Sequence, residues 1–325
     1  MPQDSYYLHY TTSGMSIMIY DIVICIAPKY NRIALMTIRS LLRYSNPRKI
    51  FVITPLSNFG YLEDNIDTHI PLFILDEDNL FEYLNYKYIN DILVKRIGSD
   101  IYTGWYFQQF LKMSFCNFPG VANYYLIWDS DTVLLKKLEF FDNEGNVLIN
   151  PKKAHHKPYF ILINKLLGYE KQVNYSFISE HLMVKTEYMK ELLCSLKSKT
   201  PKNSTWIELI LKNIDNKYLE KSGFSEYETY GNFIARNHTG SFKYRPIKSI
   251  RIGSKLFGNI PDKYNIFSLM LLGYSFVSFE KWHSKNILRI FANRLISRIL
   301  FNVYQLINHN NVQLKDATDI TGTFS

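Results

Sequence analysis

Apolar residues come in two rhythms in this chain: short unbroken runs, and longer stretches where they recur at every third or fourth position. Ile17–Ala27 (IMIYDIVICIA), Lys49–Thr54 (KIFVIT), Ile70–Leu75 (IPLFIL) and Tyr124–Trp128 (YYLIW) are of the first kind and predict buried strands. Ile33, Leu35, Met36, Ile38, Leu41 and Leu42 form a helical stripe that Asn46-Pro47 ends. Strand, helix and strand at these lengths make the βαβ unit of a parallel sheet, which binds ligands beyond the carboxyl ends of its strands. The acidic trio Asp76-Glu77-Asp78 reads as the start of a helix carrying Phe81, Tyr83 and Leu84. Farther on, Tyr175–Val184 predicts a strand with polar Ser179, Glu180 and His181 embedded in it, and a histidine so placed is expected to be a core residue. Glu187–Leu196 and Trp206–Ile214 predict helices, Lys243–Arg251 a basic strand-like edge, and Phe276–Phe279 the last strand.

The helix-type rhythm returns at residues 285–308. Asn286, Arg289, Asn293, Ser297, Asn302 and Gln305 lie near one face, and Ile287, Phe291, Leu295, Ile299, Val303 and Leu306 on another. With Arg294 and Arg298 added, such a helix suits either an acidic lipid surface or packing on its own domain or a partner subunit. Residues 309–325 are expected to be disordered. The expected class is therefore α/β, a mixed sheet flanked by helices with an amphipathic C-terminal helix. Residues 1–284 form a single domain, with a nucleotide-binding part over about 17–135 and an acceptor part over about 136–284.

Composition changes this picture in three places. Of the 325 residues, 25 are Tyr and 22 Phe, a load that suits large buried contacts and ring-stacking sites. The net charge of +9 favours polyanions, phosphorylated ligands or acidic lipid, but no dense Lys/Arg block points to nucleic acid. Cys25, Cys116 and Cys194 are odd in number and lack metal-type spacing, which predicts buried free thiols in a reducing compartment. No secretory pattern opens the sequence, and the apolar run Ile266–Phe279 is too short to cross a bilayer. The expected location is cytoplasmic, with peripheral contact at the inner face of the cytoplasmic membrane.

Candidate chemistry gathers in three segments. Asp129 and Asp131 follow the apolar strand Tyr124–Trp128, and in extended chain residues two apart face the same way. Two carboxylates so placed resist ionising together unless a cation lies between them, and an oxygen-only pair suits Mg²⁺ or Mn²⁺; the alternative is a strand-ending turn with two solvated aspartates. Within Gly104–Cys116, read as a helix, Trp105, Gln108, Gln109 and Lys112 share a face fit for a ligand with a ring and phosphates, or else a core edge. In Phe224–Tyr230, Glu226 and Glu228 stand among aromatic residues, where a raised pKa would suit a general base. The same residues also read as a helix start, with Ser225 as N-cap and Glu228 as its capping-box partner.

Taken together, the WYxQQxLK helix, the IWDSDT strand end, and the SFISEH and SEYExYG segments resemble GT-A nucleotide-sugar glycosyltransferases. More narrowly, they resemble a bacterial group associated with capsule and lipopolysaccharide assembly. The resemblance covers roughly residues 20–235. It implies a GT-A (Rossmann-like) sheet, with Asp129 and Asp131 holding Mn²⁺ or Mg²⁺ against the donor diphosphate and Trp105, Gln109 and Lys112 helping to hold the donor. It further implies Glu226 or Glu228 as the base of an inverting transfer, and His283 as a further metal ligand. The first loop departs from the pattern: relatives carry an acidic residue after its lysine, where this chain has Lys29-Tyr30, yet Lys29 remains a donor-binding candidate. The acceptor implied is a surface-polysaccharide or lipid-linked glycan. A sugar nucleotidyltransferase is the nearest rival, but Ala27-Pro28-Lys29-Tyr30-Asn31 lacks the glycines of its phosphate loop. A carbohydrate-binding scaffold with structural aspartates is the other.

Overall fold

The computed structural model describes residues 18–281, 286–307 and 312–322. Four strands come first: β1 (Tyr20–Cys25), β2 (Lys49–Thr54), β3 (Leu72–Asp76) and β4 (Tyr124–Trp128). Six more follow: β5 (Thr132–Leu134), β6 (Val147–Ile149), β7 (His181–Lys185), β8 (Phe242–Tyr244), β9 (Ser249–Ile250) and β10 (Phe276–Ser278). The central sheet has the order β3-β2-β1-β4-β7, parallel except for β7, which runs antiparallel to β4 with Trp128 opposite His181. Helices flank it, as the apolar rhythms predict for a mixed α/β sheet. β1 is buried along its whole length because both faces are covered, which is why it reads as a continuous apolar run.

One polar residue breaks that run. Asp21 is fully buried, receives Nε and Nη2 of Arg48 at 2.9 and 2.7 Å, and accepts the Ala122 amide at 2.8 Å. This forked pair ties the entry of β1 to the segments leading into β2 and β4, and so fixes the register of the strands whose far ends carry the chemistry.

β5 does not join the central sheet. It pairs antiparallel with β10, and the Asn31–Tyr44 helix packs beside it, where Ser40 Oγ accepts the Leu134 amide at 2.9 Å. The chain therefore turns sharply at Asp129–Asp131 between two sheets.

Several expectations need correction. No helix starts at the acidic trio: Phe81 and Leu84 form an isolated bridge, and the helix begins at Tyr86, where Asn85 caps the Tyr88 amide and Asp78 accepts the Tyr86 amide. Tyr175–Glu180 is not strand; only His181–Lys185 pairs with β4, because Glu180 turns the chain at φ 63°. Cys194 is exposed, while Cys25 and Cys116 are buried. Residues 312–321 are not disordered. They form the helix Val312–Thr321, buried at Ala317 and Ile320 and tied to the Asn31–Tyr44 helix through Arg43 to Asp319 at 3.0 Å and through Arg43 and Tyr44 to Asp316.

The amphipathic segment is the helix Ile287–Ile307. Its inward face is mixed: Arg294 donates to the Phe257 and Ile260 carbonyls, Asn293 to Leu256 O, and Ser297 meets Ser268 at 3.0 Å, while Phe301 packs edge-on against Tyr264 and Phe267. Carbonyls at the end of the Gly253–Phe257 helix need donors, and the arginine and asparagine supply them.

Candidate functional site

Four main-chain or side-chain bonds set the Asp129–Asp131 turn. The Asp129 amide donates to Glu180 O at 3.0 Å, Thr37 Oγ1 to Ser130 O at 3.0 Å, the Phe279 amide to Asp131 O at 2.9 Å, and Trp128 Nε1 to Thr132 O at 2.7 Å. Each of these contacts comes from a different element, so the turn is held from all sides. Glu180 accepts this role in a left-handed conformation that costs a non-glycine residue about 1 kcal/mol or more.

The Thr103–Ser114 helix brings Lys112 to the turn. Its ammonium is buried, 2.8 Å from Asp129 Oδ1 and 3.1 Å from Glu226 Oε1. Tyr227 donates its hydroxyl to the same Asp129 oxygen at 2.8 Å, and its ring lies 5.2 Å from the lysine nitrogen. Gln109, one turn before Lys112, accepts the Glu226 amide at 3.1 Å through Oε1 and donates to Trp105 O at 3.1 Å. Of the expected helix face, Gln109 and Lys112 meet at the turn, whereas Trp105 packs edge-on against Tyr102 and Tyr106. Burial raises the Glu226 pKa and Lys112 opposes the rise, while Asp129 and Glu226 together overcome burial and raise that of Lys112.

The two glutamates of SEYExYG part company. Ser225 caps the Glu226–Asn237 helix by accepting the Glu228 amide at 3.3 Å, so the segment is helical and not extended. Glu226 points to Lys112, whereas Glu228 is bonded by Ser176 and by Asn232 Nδ2 at 3.2 Å. The helix-start reading therefore holds at its cap, and the side chains of Glu226 and Glu228, two apart on a helix and about 200° around it, point to different partners. Gly231 makes the fit possible, since a Cβ there would stand 2.1 Å from Phe177 Cγ.

Asp131 is pushed up to about 7, first by burial and then by the neighbouring Asp129 charge. A second shell of charge that sequence reasoning missed lies beside the pair. Arg251 Nε is 2.6 Å from Glu280 Oε1 and 3.4 Å from Glu180 Oε1, and Lys152 Nζ is 3.7 Å from Glu180 Oε2. Burial raises Glu280 to about 8 and raises Glu180 as well. Glu180 was signalled only as a polar residue inside an apolar segment; Arg251, Glu280 and Tyr227 gave no spacing that singles them out.

Lys29 lies in a short 3₁₀ turn just past β1. It lines a cleft of about 480 Å³ with Tyr30, Arg32, Asn259 and Lys281. Lys281 donates to Lys29 O at 2.6 Å and covers the Tyr30 ring at 4.0 Å. Tyr30 has its pKa raised by burial and then by Asp131, so this basic cleft adjoins the acid pair. His283, the expected further ligand, lies outside the described residues. Among the described residues no three His, Cys, Asp or Glu side chains converge tightly enough to hold a metal ion.

Residues 21–249 match a family of unknown function, DUF6492. The chain belongs to that family. No protein of curated function matches this DUF6492 member. Among solved structures it is similar to the galactosyltransferase LgtC in complex with donor and acceptor sugar analogs, at 10% identity and a TM-score of 0.45, over 92% of this chain and 100% of that one. It is similar also to the bifunctional glycosyltransferase WbbM, at 11% identity and TM-score 0.46, over 89% of this chain and 51% of that one. Mouse xyloside xylosyltransferase 1 gives 8% identity and TM-score 0.40, over 72% and 88%. Likeness this slight leaves the function of the DUF6492 member to be argued from its own site.

Proposed function

We propose that this chain is a metal-dependent GT-A glycosyltransferase, moving a sugar from a nucleotide-sugar donor to a surface-polysaccharide or lipid-linked glycan acceptor. The observation that carries the reading is the crowding of acid at the Asp129–Asp131 turn. Asp129 and Asp131 stand two residues apart in the turn, with Glu180 and Glu280 beside them against Arg251 and Lys152, and burial together with mutual repulsion raises Asp131, Glu180 and Glu280 above their ordinary values. Such crowded carboxylate oxygens fit one Mg²⁺ or Mn²⁺. The raised Asp131 is the same crowding felt at a single residue.

Asp129 and Asp131 would hold the ion, with His283 as the expected further ligand. A divalent cation there supplies neutralisation of the nucleoside diphosphate as the glycosidic bond breaks. Lys112 and Tyr227 both bond Asp129 through Oδ1, which keeps the carboxylate oriented and leaves Oδ2 for the ion. Gln109 sets Glu226, and Glu226 in turn steadies Lys112, so the donor-side helix and the acid turn move as one unit. Lys29, with Arg32 and Lys281, lines the basic cleft next to Asp131 and is suited to the donor's phosphates. In an inverting transfer Glu226 is the carboxylate beside Asp129 that would accept the acceptor's proton; Glu228 is committed to Ser176 and Asn232. Among the described residues no helix is long and apolar enough to cross a membrane. The proposal places the protein in the cytoplasm at the inner membrane face, where such acceptors are built.

A thermal-shift screen of nucleoside diphosphates and nucleotide-sugars with Mn²⁺ tests this directly. A ligand at 100 times its Kd should add about 2.7 kcal/mol of stability, and only with the metal present. Asp131→Asn should abolish that response. If no nucleotide stabilises the protein with Mn²⁺ and no donor is turned over, the glycosyltransferase reading fails and a scaffold role replaces it.

A further inference from the structure

The Ile287–Ile307 helix turns Asn293, Arg294, Ser297 and Phe301 toward the protein and leaves a largely apolar side to solvent. Leu288, Phe291, Leu295, Ile299, Val303 and Leu306 are between 49% and 81% exposed, whereas Ser297 and Phe301 on the opposite side are buried. At about 100° per residue these six span an arc of roughly 120°. The polar position inside the arc is Asn302. Arg298 and Arg289 lie at its two edges, Arg298 60% exposed and 3.9 Å from Asp262. The helix carries three arginines and no acidic residue.

This apolar strip, about 30 Å long and without a partner among the described residues, carries one arginine at each border and matches the cross-section of a lipid surface: acyl chains beneath and acidic headgroups alongside. A second copy of this chain fits less well, because an antiparallel pairing of two such helices sets the Arg298 edge of one against the Arg298 edge of the other. We propose that the Ile287–Ile307 helix lies in the plane of an anionic bilayer with this arc inserted between the headgroups. Arg294 joins the helix to Ile260, and Asn259 and Ile260 line the basic cleft with Lys29. The cleft is then held within about one helix diameter, 10–12 Å, of the headgroups. Resting on the glycosyltransferase reading, this placement selects acceptors borne on lipid over free glycans in solution.

Co-sedimentation of the full chain with vesicles tests the docking. The protein should pellet with phosphatidylcholine vesicles that carry phosphatidylglycerol, much less with phosphatidylcholine alone, and less again as salt rises. The double variant Leu295→Glu/Ile299→Glu should lower the bound fraction roughly tenfold or more without lowering Tm, since both side chains are already half-exposed. Arg289→Glu/Arg298→Glu should lower binding to the anionic vesicles specifically. Wild-type protein that stays in the supernatant overturns the proposal. Sedimentation velocity then tells whether a dimer that the Leu295/Ile299 variant dissociates covers the arc, or the chain's own residues 1–17 in a monomer. Vesicle binding without turnover of any donor would sink the enzyme reading alone, and turnover without vesicle binding would sink the docking alone.

Discussion

Acidification should cost this protein stability through His181, and the amount can be worked out in advance. The ring sits at the start of β7, stacked on Trp128 at 5.0 Å and 27°, with Phe276 and Phe140 edge-on at 5.1 and 5.9 Å. Its Nδ1 is buried and has no hydrogen-bond partner among the described residues. Burial, with help from the nearby Arg245 charge, drives its pKa down from 6.5 to about 3. A base whose folded pKa is depressed takes up its proton first in the unfolded chain. Its contribution is therefore whole above about pH 6.5 and lost as the pH falls from there toward about 3. At about pH 5 the loss is roughly 1.5 units times 1.4 kcal/mol, or about 2 kcal/mol, whatever the folded value so long as it lies below about 4.

Urea unfolding followed by tryptophan fluorescence, at about pH 7.5 and about pH 5, measures this for wild type and for His181→Leu. The leucine removes the titration and leaves every carboxylate in place, so the variant's own pH dependence is the reference. Wild type should lose about 2 kcal/mol more than the variant between the two conditions. Parallel losses, within about 0.5 kcal/mol, would show that His181 titrates normally, and the burial argument for the Trp128 environment would be refuted.

Other consequences are quicker to state. Glu226→Gln should cut transfer by about 10²-fold or more, while Glu228→Gln should leave turnover within a few-fold and instead lower Tm, because it disturbs the Ser176–Asn232 contacts; steady-state kinetics and melting curves tell the two apart. Replacing Lys112 with Met strands the buried Glu226 and the partly exposed Asp129 and should destabilise by about 2–4 kcal/mol, read by denaturant titration; a loss under about 1 kcal/mol would mean the pair is solvated. Gly231→Ala drives a methyl into the Phe177 ring and should cost about 1–3 kcal/mol, with earlier proteolysis around residues 175–180 as its local sign.

How much of this was legible depended on whether a residue's partners were near in sequence. β1, β2 and β4 could be read because strands covered on both faces leave continuous apolar runs. β7 was drawn too long, since the polar Ser179-Glu180 turn is set by a contact to Asp129 that no local pattern encodes. The Ser225 cap was visible and proved decisive for the two glutamates, but the choice between helix and strand needed the Gln109 contact, 117 residues away. Periodicity placed the Ile287–Ile307 helix well. Which side faces the protein was beyond its reach, because the receiving surface offers the Phe257 and Ile260 carbonyls beside the Phe267 ring and so takes a mixed face of the helix. Arg251, held by two distant glutamates, left no trace in the sequence at all.

The manner in which the Asp129–Asp131 turn is fastened bears on how its variants should be interpreted. Its bonds to Glu180, Thr37 and Phe279 run through peptide groups of the turn, which any side chain at those positions would retain. Exchanging Asp131 for its amide therefore leaves the loop's path intact and changes what the loop can attract, whereas the same exchange at Asp129 also breaks its pair with buried Lys112. Evolution is free on the same terms to alter the acids without rebuilding the bend, so members of one family could keep this loop while differing in the ion they recruit or in whether they recruit one.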